Sequence, residues 1–156
     1  MAMVKRLQEF LDSHSVRYEV IPHREAFTSQ EIAAASHVSG KAMAKVVILK
    51  RGTEMVMAVL PAACKVGMDR FEKIFGTSGI TIAREHEFVA LFPDCDTGAM
   101  PAFGNLYGLE VYVDEELTTC SHIVFQAGNH HELVTMRYAD FARLAQPKVA
   151  EFCSHA

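Results

Sequence analysis

The segment that most constrains the fold is residues 44–61, AKVVILKRGTEMVMAVLP, because it has the pattern of a β-hairpin. Two runs rich in valine, isoleucine, leucine and methionine flank Arg51, Gly52 and Thr53, where glycine favours a tight turn. Such strands bury an apolar face and pair their backbones with neighbours. The hairpin therefore predicts a sheet that the other segments extend.

The remaining segments show helical and strand patterns. Helical spacing of apolar residues occurs in 4–14, 68–76, 84–92 and 138–145, and strand patterns occur in 16–23, 80–83, 109–114, 122–128 and 132–137. Thr28 and Glu31 have capping-box spacing for a further short helix that ends before Gly40. Hairpins and helices without strict βαβ alternation predict an α+β fold: a mixed, mainly antiparallel sheet, curved or forming a partial barrel, with flanking helices.

Length and composition fit one globular domain. The chain has 156 residues, 50% of them hydrophobic and 22% charged, and no Pro/Gly/Ser-rich linker or internal repeat divides it. We therefore expect residues 1–156 to form a single domain. The apolar runs are too short to span a bilayer, and MAMVKRLQEF has no secretory apolar core. We expect no membrane partner and a cytoplasmic location.

The charge of the chain bears on its partners. A formal net charge of −4 disfavours binding along a duplex, which depends on clustered lysine and arginine, so we expect no DNA partner. Lys41, Lys45, Lys50 and Arg51 form a local basic stretch. This stretch is compatible with binding of one nucleotide end, although such a run is more often a solvated face.

The cysteines and histidines show no metal-binding spacing. Cys64, Cys95, Cys120 and Cys153 are scattered without a CxxC pair, which indicates neither a zinc site nor a disulfide framework, and we expect free thiols. His130 and His131 are adjacent, and neighbouring residues of a strand point to opposite faces. The two imidazoles therefore cannot easily share one ion, and we expect no metal.

The loop GAMPAFG at residues 98–104 is the best candidate for a binding site. Glycine permits backbone conformations and close approaches that side chains prevent, and proline stiffens the turn, so we expect the loop to bind a ligand with its backbone. Lys45 has two interpretations: its ammonium reaches solvent from a strand edge, or it faces a cleft and binds a phosphate or carboxylate. One of His130 and His131 could face the same cleft.

Together these segments resemble the YbaK/ProX family, the editing domain associated with prolyl-tRNA synthetase. The resemblance extends roughly from His23 to Phe152, and its motifs are specific only as a set. The segments that carry it are AKVVILK (44–50), LFPDC with GAMPAFG (91–104), VYVDEEL (111–117), FQAGNHHELVTMRYADFARL (125–144) and a final PKVAEF.

The resemblance implies a free-standing deacylase that hydrolyses the ester joining a wrong amino acid to the 3′ end of a tRNA, with no cofactor. It implies catalytic roles for Lys45, Gly98 and His130. It implies substrate-binding positions at Ala99, Met100, Pro101, Phe103, Gly104 and Gly128. No Ser-His or Cys-His nucleophile is apparent, so a water positioned by the pocket, with a tRNA hydroxyl, is expected to attack. The implied partners are the aminoacyl-tRNA 3′ end and a candidate synthetase.

Two other functions remain open on the sequence. A non-catalytic module could hold a tRNA end or a synthetase with the same loop. A hydrolase of another small amino-acid ester would need the pocket without the basic stretch.

Overall fold

The computed structural model of the chain describes residues 3–23 and 42–155. Its helices are α1 (Lys5–Ser13), α2 (Met68–Phe75), α3 (Glu85–Phe88) and α4 (Tyr138–Ala145). Its strands are β1 (Tyr18–Pro22), β2 (Ala44–Arg51), β3 (Glu54–Pro61), β4 (Lys65–Val66), β5 (Thr81–Ile82), β6 (Glu110–Asp114), β7 (His122–Gln126), β8 (Glu132–Arg137), β9 (Lys148–Ala150) and β10 (Cys153–Ser154). Short 3₁₀ helices cover Val89–Leu91, Gly104–Tyr107 and Glu115–Thr119.

The predicted hairpin is confirmed and lies inside the larger sheet. Strands β2 and β3 pair antiparallel from Ala44 opposite Pro61 to Arg51 opposite Glu54, and Gly52 has φ +62° in the turn. This positive φ explains the glycine at the turn. Strand β5 pairs antiparallel with β2, whereas β3–β6 and β6–β9 are parallel, so the sheet has the order β5-β2-β3-β6-β9.

A second sheet adjoins the first at one point. Strands β1, β8 and β7 pair antiparallel in that order. A single parallel bridge between Met43, just before β2, and Val124 of β7 links the two sheets. The predicted class is therefore confirmed as an α+β fold on mixed, mainly antiparallel sheets, and the strands of the described residues do not close into a barrel.

The main core lies on one face of these sheets. Ala44 and Ile48, alternate residues of β2, pack there against a core that includes Leu7 and Leu11 of α1 and Phe141 of α4. The four-residue spacing of the two leucines places them on one side of α1. Leu7, Leu11 and Phe141 are fully buried, and each such side chain stabilises the fold by about 1.5–3 kcal/mol.

The opposite face of the sheets carries two smaller clusters. Leu49 packs there with Phe71 of α2 and Phe152, which precedes β10. At the link between the sheets lies what we call the junction cluster, formed by Met43, Ala62, Val124 and Leu133, with Ile21 packed against it. Met43 and Val124 of the junction cluster lie two residues before Lys45 and Gln126, respectively.

The expectation of free thiols at Cys64 and Cys153 is wrong. These two residues form a disulfide with a Cα–Cα distance of 5.4 Å. Cys64 directly precedes β4, and Cys153 lies on β10, which pairs antiparallel with β4. The 89-residue separation explains why spacing along the sequence did not indicate the bond. Cys95 and Cys120 lie outside this disulfide, in agreement with the expectation of thiols at these two positions.

Two other expectations differ from the structure or lie outside it. The helix predicted over 84–92 is a four-residue α-helix followed by a 3₁₀ turn. The helix expected after Thr28 falls outside the described residues.

Candidate active site

Gly98 occupies the turn that begins the 98–104 loop. The amide of Ala99 donates a hydrogen bond to the carbonyl of Asp96 at 3.0 Å, which closes a four-residue turn. Gly98 is the third residue of that turn and has φ +84°, a conformation that such turns reserve largely for glycine. The amide of Asp96 is itself bonded to the carbonyl of Gly128 at 2.8 Å. The turn is therefore fixed at both ends by backbone hydrogen bonds.

The rest of the loop is anchored in the protein interior. Ala99, Met100, Pro101, Phe103 and Gly104 are all buried, whereas Gly98 is exposed. The Phe103 ring packs against those of Phe10, Phe125 and Phe141, with centroid distances of 5.6, 5.6 and 5.3 Å. The structure thus places only the start of the loop at the surface.

Gly104 allows the loop to lie directly on the sheet. A Cβ atom there would meet Met57 Cβ and Val111 Cγ2 at 3.1 Å, closer than ordinary packing. Both neighbours belong to central strands, β3 and β6. Gly104 and Phe103 therefore anchor the loop to the sheet and to the core.

His130 fixes the peptide group between Thr97 and Gly98. Its Nε2 atom lies 2.9 Å from the carbonyl oxygen of Thr97. Because a carbonyl only accepts hydrogen bonds, Nε2 carries a proton and donates it. The imidazole is buried, and its Cε1 lies 3.8 Å from where a Cβ on Gly98 would be. The structure brings together two of the predicted catalytic residues, His130 and Gly98.

Gln126 is a site residue that sequence reasoning missed. It lies at the end of β7, is 8% exposed, and its Nε2 donates to the carbonyl of Gly98 at 3.1 Å. Its Oε1 atom is buried and has no hydrogen-bond partner among the described residues. Most buried polar atoms are satisfied, so this oxygen is a candidate ligand acceptor. The signal in the sequence was a single amide side chain within the apolar run IVFQA.

Lys45 lies on the same face of the sheets as Gln126. Met43 and Val124 form the bridge between the sheets and share the junction cluster. Lys45 follows Met43 by two residues, and Gln126 follows Val124 by two residues. Because side chains alternate along a strand, Lys45 and Gln126 lie on the same face as the junction cluster. This parallel pairing therefore places Lys45, the third predicted catalytic residue, on the same face of the sheets as Gln126. The side chain of Gln126 in turn donates a hydrogen bond to the carbonyl of Gly98.

The ammonium of Lys45 is partly removed from water. Burial, followed by the positive charge of nearby Lys65, lowers the pKa of Lys45 from its ordinary value. Within residues 3–23 and 42–155 no carboxylate lies within 4.0 Å of its Nζ. A half-buried ammonium without a partner carries a desolvation cost that an anionic ligand would offset.

Gly128 allows another segment to approach closely. It has φ +99°, and a Cβ atom there would overlap Cγ2 of Val4 and lie 3.0 Å from its Cβ. The amide of Val4 donates to the carbonyl of Ala127 at 3.0 Å. Gly128 therefore joins the start of α1 to the turn that carries Gly98.

The family model of the aminoacyl-tRNA editing domain matches residues 23–144, which include Lys45, the 98–104 loop, Gln126 and His130. The chain belongs to the aminoacyl-tRNA editing domain family. The editing-domain resemblance drawn from the sequence is thereby confirmed. No curated protein matches the chain significantly.

Solved structures show that this editing domain has a known fold. A protein described only as hypothetical superposes with a TM-score of 0.86 at 17% identity, covering 96% of this chain and 100% of its own. A proposed trans-editing enzyme for prolyl-tRNA synthetase gives 0.82 at 17% identity, with coverage of 97% and 96%. A proposed signal transduction protein from Marinobacter aquaeolei VT8 gives 0.74 at 16% identity, covering 95% of this chain and 30% of its own.

Cys95 does not offer the editing domain an activated thiol. Burial raises the pKa of the Cys95 thiol to about 11, and its Sγ lies 3.2 Å from the hydroxyl of Tyr107. The thiolate is the nucleophilic form of cysteine, so the raised pKa disfavours Cys95 as a nucleophile.

In the described part of the editing domain, no helix is long and apolar enough to cross a bilayer.

Proposed function

We propose that this editing domain is a free-standing deacylase that hydrolyses the ester bond of mischarged aminoacyl-tRNA. The observation that carries the proposal is that Gln126 and His130 both hold the turn at Gly98, with Lys45 on the same face of the sheets as Gln126. These residues come from separate parts of the chain, and the family match supports aminoacyl-tRNA as the class of substrate. The cytoplasm, where tRNA is charged, is the proposed location, and a synthetase is a proposed partner.

The peptide between Thr97 and Gly98 supplies the oxyanion-binding group. In a trans peptide the carbonyl and the amide point in opposite directions. Because His130 holds the Thr97 carbonyl on one side, the amide of Gly98 points to the other. That amide has no backbone acceptor among the described residues, whereas the amide of Ala99 is used by Asp96. A fixed amide of this kind stabilises the negative charge that develops on the ester carbonyl.

The other two polar side chains, Lys45 and Gln126, bind the tRNA end and hold the turn, respectively. The Lys45 ammonium binds the terminal phosphate or ribose, which supplies the anion or polar partner that the described residues lack. The side chain of Gln126 keeps the turn in place, because its Nε2 donates to the carbonyl of Gly98 at 3.1 Å. No covalent intermediate is required, because positioning of water and ester lowers the barrier. His130 acts as a positioning residue, since its Nε2 is occupied by the Thr97 carbonyl.

A panel of substrates tests the proposed reaction. The chain is expected to deacylate at least one mischarged tRNA in a panel of small amino acids, and to act far more slowly on the matching free amino-acid esters. The reason is that binding of the tRNA end by Lys45 contributes only with the tRNA substrate. Tight tRNA binding without turnover would instead identify a non-catalytic module, and equal rates on the free esters would identify a small-molecule esterase.

The Gly98→Ala variant tests the role of the turn. The added Cβ has room beside His130 at 3.8 Å, but it strains a backbone with φ +84° by roughly 1 kcal/mol and intrudes where substrate approaches. Displacing a reacting group by about 1 Å costs on the order of a hundredfold in rate, so single-turnover deacylation is expected to fall by about that factor.

Gly108→Ala is the matched control for this turn. Gly108 has φ +76° and open space around its Cβ position, so alanine adds comparable strain away from the site. Equal stability losses in both variants, with normal deacylation by both, would remove Gly98 from the site.

A further inference from the structure

A cluster of four metal-binding side chains lies where the C-terminal strand joins the fold. Cys64, Cys153, His155 and Glu116 each offer one donor atom, and these atoms lie within 4.8 Å of one another. From Nε2 of His155 the distances are 2.9 Å to Glu116 Oε2, 3.4 Å to Cys153 Sγ and 3.9 Å to Cys64 Sγ. Two sulfurs, one imidazole and one carboxylate are ligands that proteins use for zinc.

We propose that Cys64, Cys153, His155 and Glu116 form a Zn²⁺ site when the two cysteines are reduced. A tetrahedral site with Zn–S bonds near 2.3 Å and Zn–N or Zn–O bonds near 2.0 Å separates its donor atoms by roughly 3.3–3.8 Å. The contacts of His155 already span 2.9–3.9 Å. Opening the disulfide frees the sulfurs to separate by side-chain rotation. The zinc-bound and disulfide forms are therefore alternative ways to hold β10 on β4.

Buried Asp114 positions two of the four ligands. Its Oδ1 accepts the amides of Phe152 and Cys153 at 2.9 and 2.8 Å, and its Oδ2 accepts the amide of Glu116 at 2.9 Å. One carboxylate thus fixes the backbone of both segments. Groups that orient ligands in this way are typical of metal sites. The same contacts would also hold an oxidised chain, so they support either form.

The charge around the cluster suits a cation with two thiolates. Two thiolates and one carboxylate carry three negative charges against the two of Zn²⁺, which leaves a net charge of −1. Arg70 lies beside the cluster, where its Nη1 donates to the carbonyl of Cys153 at 2.8 Å. A cation at this position stabilises the excess negative charge.

The conversion between the two forms balances. A dithiol reductant supplies two electrons and two protons and is oxidised to its own disulfide, while the S–S bond of Cys64–Cys153 breaks and two thiols form. Zn²⁺ then displaces one proton from each thiol and forms two Zn–S bonds, together with bonds to His155 and Glu116. In reverse, a disulfide-containing oxidant takes two electrons from the thiolates, the S–S bond forms again, and Zn²⁺ leaves unchanged in charge.

Metal titration of the full chain tests the proposal. Reduced protein, freed of reductant under anaerobic conditions, is expected to bind one Zn²⁺ per chain in competition with a chromophoric chelator, and oxidised protein none. Co²⁺ in place of Zn²⁺ should give a thiolate-to-cobalt charge-transfer band and the intense visible bands of a tetrahedral ion. Substoichiometric binding to reduced protein, or equal binding to both forms, would overturn the proposal.

Variants separate this site from other cysteines and histidines. Cys153→Ser is expected to abolish the tetrahedral cobalt spectrum. His155→Ala, whose side chain is 65% exposed and so has little effect on folding, should weaken zinc binding at least about tenfold. Cys120→Ser and His122→Ala are the matched controls and should bind zinc as the parent chain does. Parent-like binding by His155→Ala, or losses in the controls as large as in the site variants, would contradict the assignment.

Discussion

Replacing Lys45 with alanine is expected to lower single-turnover deacylation of the best panel substrate by at least about a hundredfold, because the tRNA end loses the group that positions it. The fold should be retained, since the half-exposed ammonium has no ion-pair partner among the described residues. Rates measured with mischarged tRNA, together with the melting temperature of each variant, check this result. A folded variant that deacylates at the parent rate would remove Lys45 from the mechanism.

Two further lysines sharpen this experiment. Lys50 lies on the same strand, β2, but on the other face, where it pairs with Glu87, so Lys50→Ala should leave the rate nearly unchanged. The charge of Lys65 lowers the pKa of Lys45, so Lys65→Ala should raise that pKa. If the ammonium form binds the tRNA end, the fall in activity at high pH should occur at a higher pH in Lys65→Ala than in the parent chain. An unchanged alkaline limb would show that Lys45 does not act as the cation.

Gly128→Ala is expected to cost about 2–4 kcal/mol of unfolding free energy, through strain at positive φ and overpacking against a neighbour. The strain comes from φ +99°, and the overpacking comes from overlap of the new Cβ with Val4 Cγ2. Urea unfolding at a fixed redox state measures the change. This loss is large for a single methyl group, because most substitutions away from such features cost much less.

A double variant separates the two causes. Val4→Ala removes the atom that the new Cβ would meet, so Val4→Ala with Gly128→Ala should be more stable than the sum of the single effects predicts. The strain from positive φ should remain. Additive effects in this cycle would show that Val4 does not limit position 128.

Much of the fold follows from local patterns. The hairpin of β2 and β3 and the helix α4 (Tyr138–Ala145) agree with the predicted segments, because their apolar residues recur with the period of their own structure. The strands β9, β4 and β10 were not predicted. They are two or three residues long, and distant pairing partners rather than their own sequence define them.

The site was only partly accessible from the sequence. Gly98, Lys45 and His130 were singled out; the structure places His130 on the turn at Gly98, and Lys45 on the same face of the sheets as Gln126, which also holds that turn. Local spacing could not show that His130 binds the Thr97 carbonyl or that Phe103 lies in the core. Both facts depend on contacts between distant segments. The cluster at Cys64 and Cys153 escaped sequence reasoning for the same reason.

The bridge between Met43 and Val124 has a consequence for when the site forms during folding. Lys45 belongs to the five-stranded sheet, whereas Gln126 belongs to the three-stranded one. Each sheet can form most of its hydrogen bonds independently, but the two residues come to lie on one face only after the sheets dock. Contacts between distant segments form late because loop closure opposes them. A partly folded chain would therefore have formed strands without assembling the proposed site, and local opening at this link would separate Lys45 from Gln126 before global unfolding.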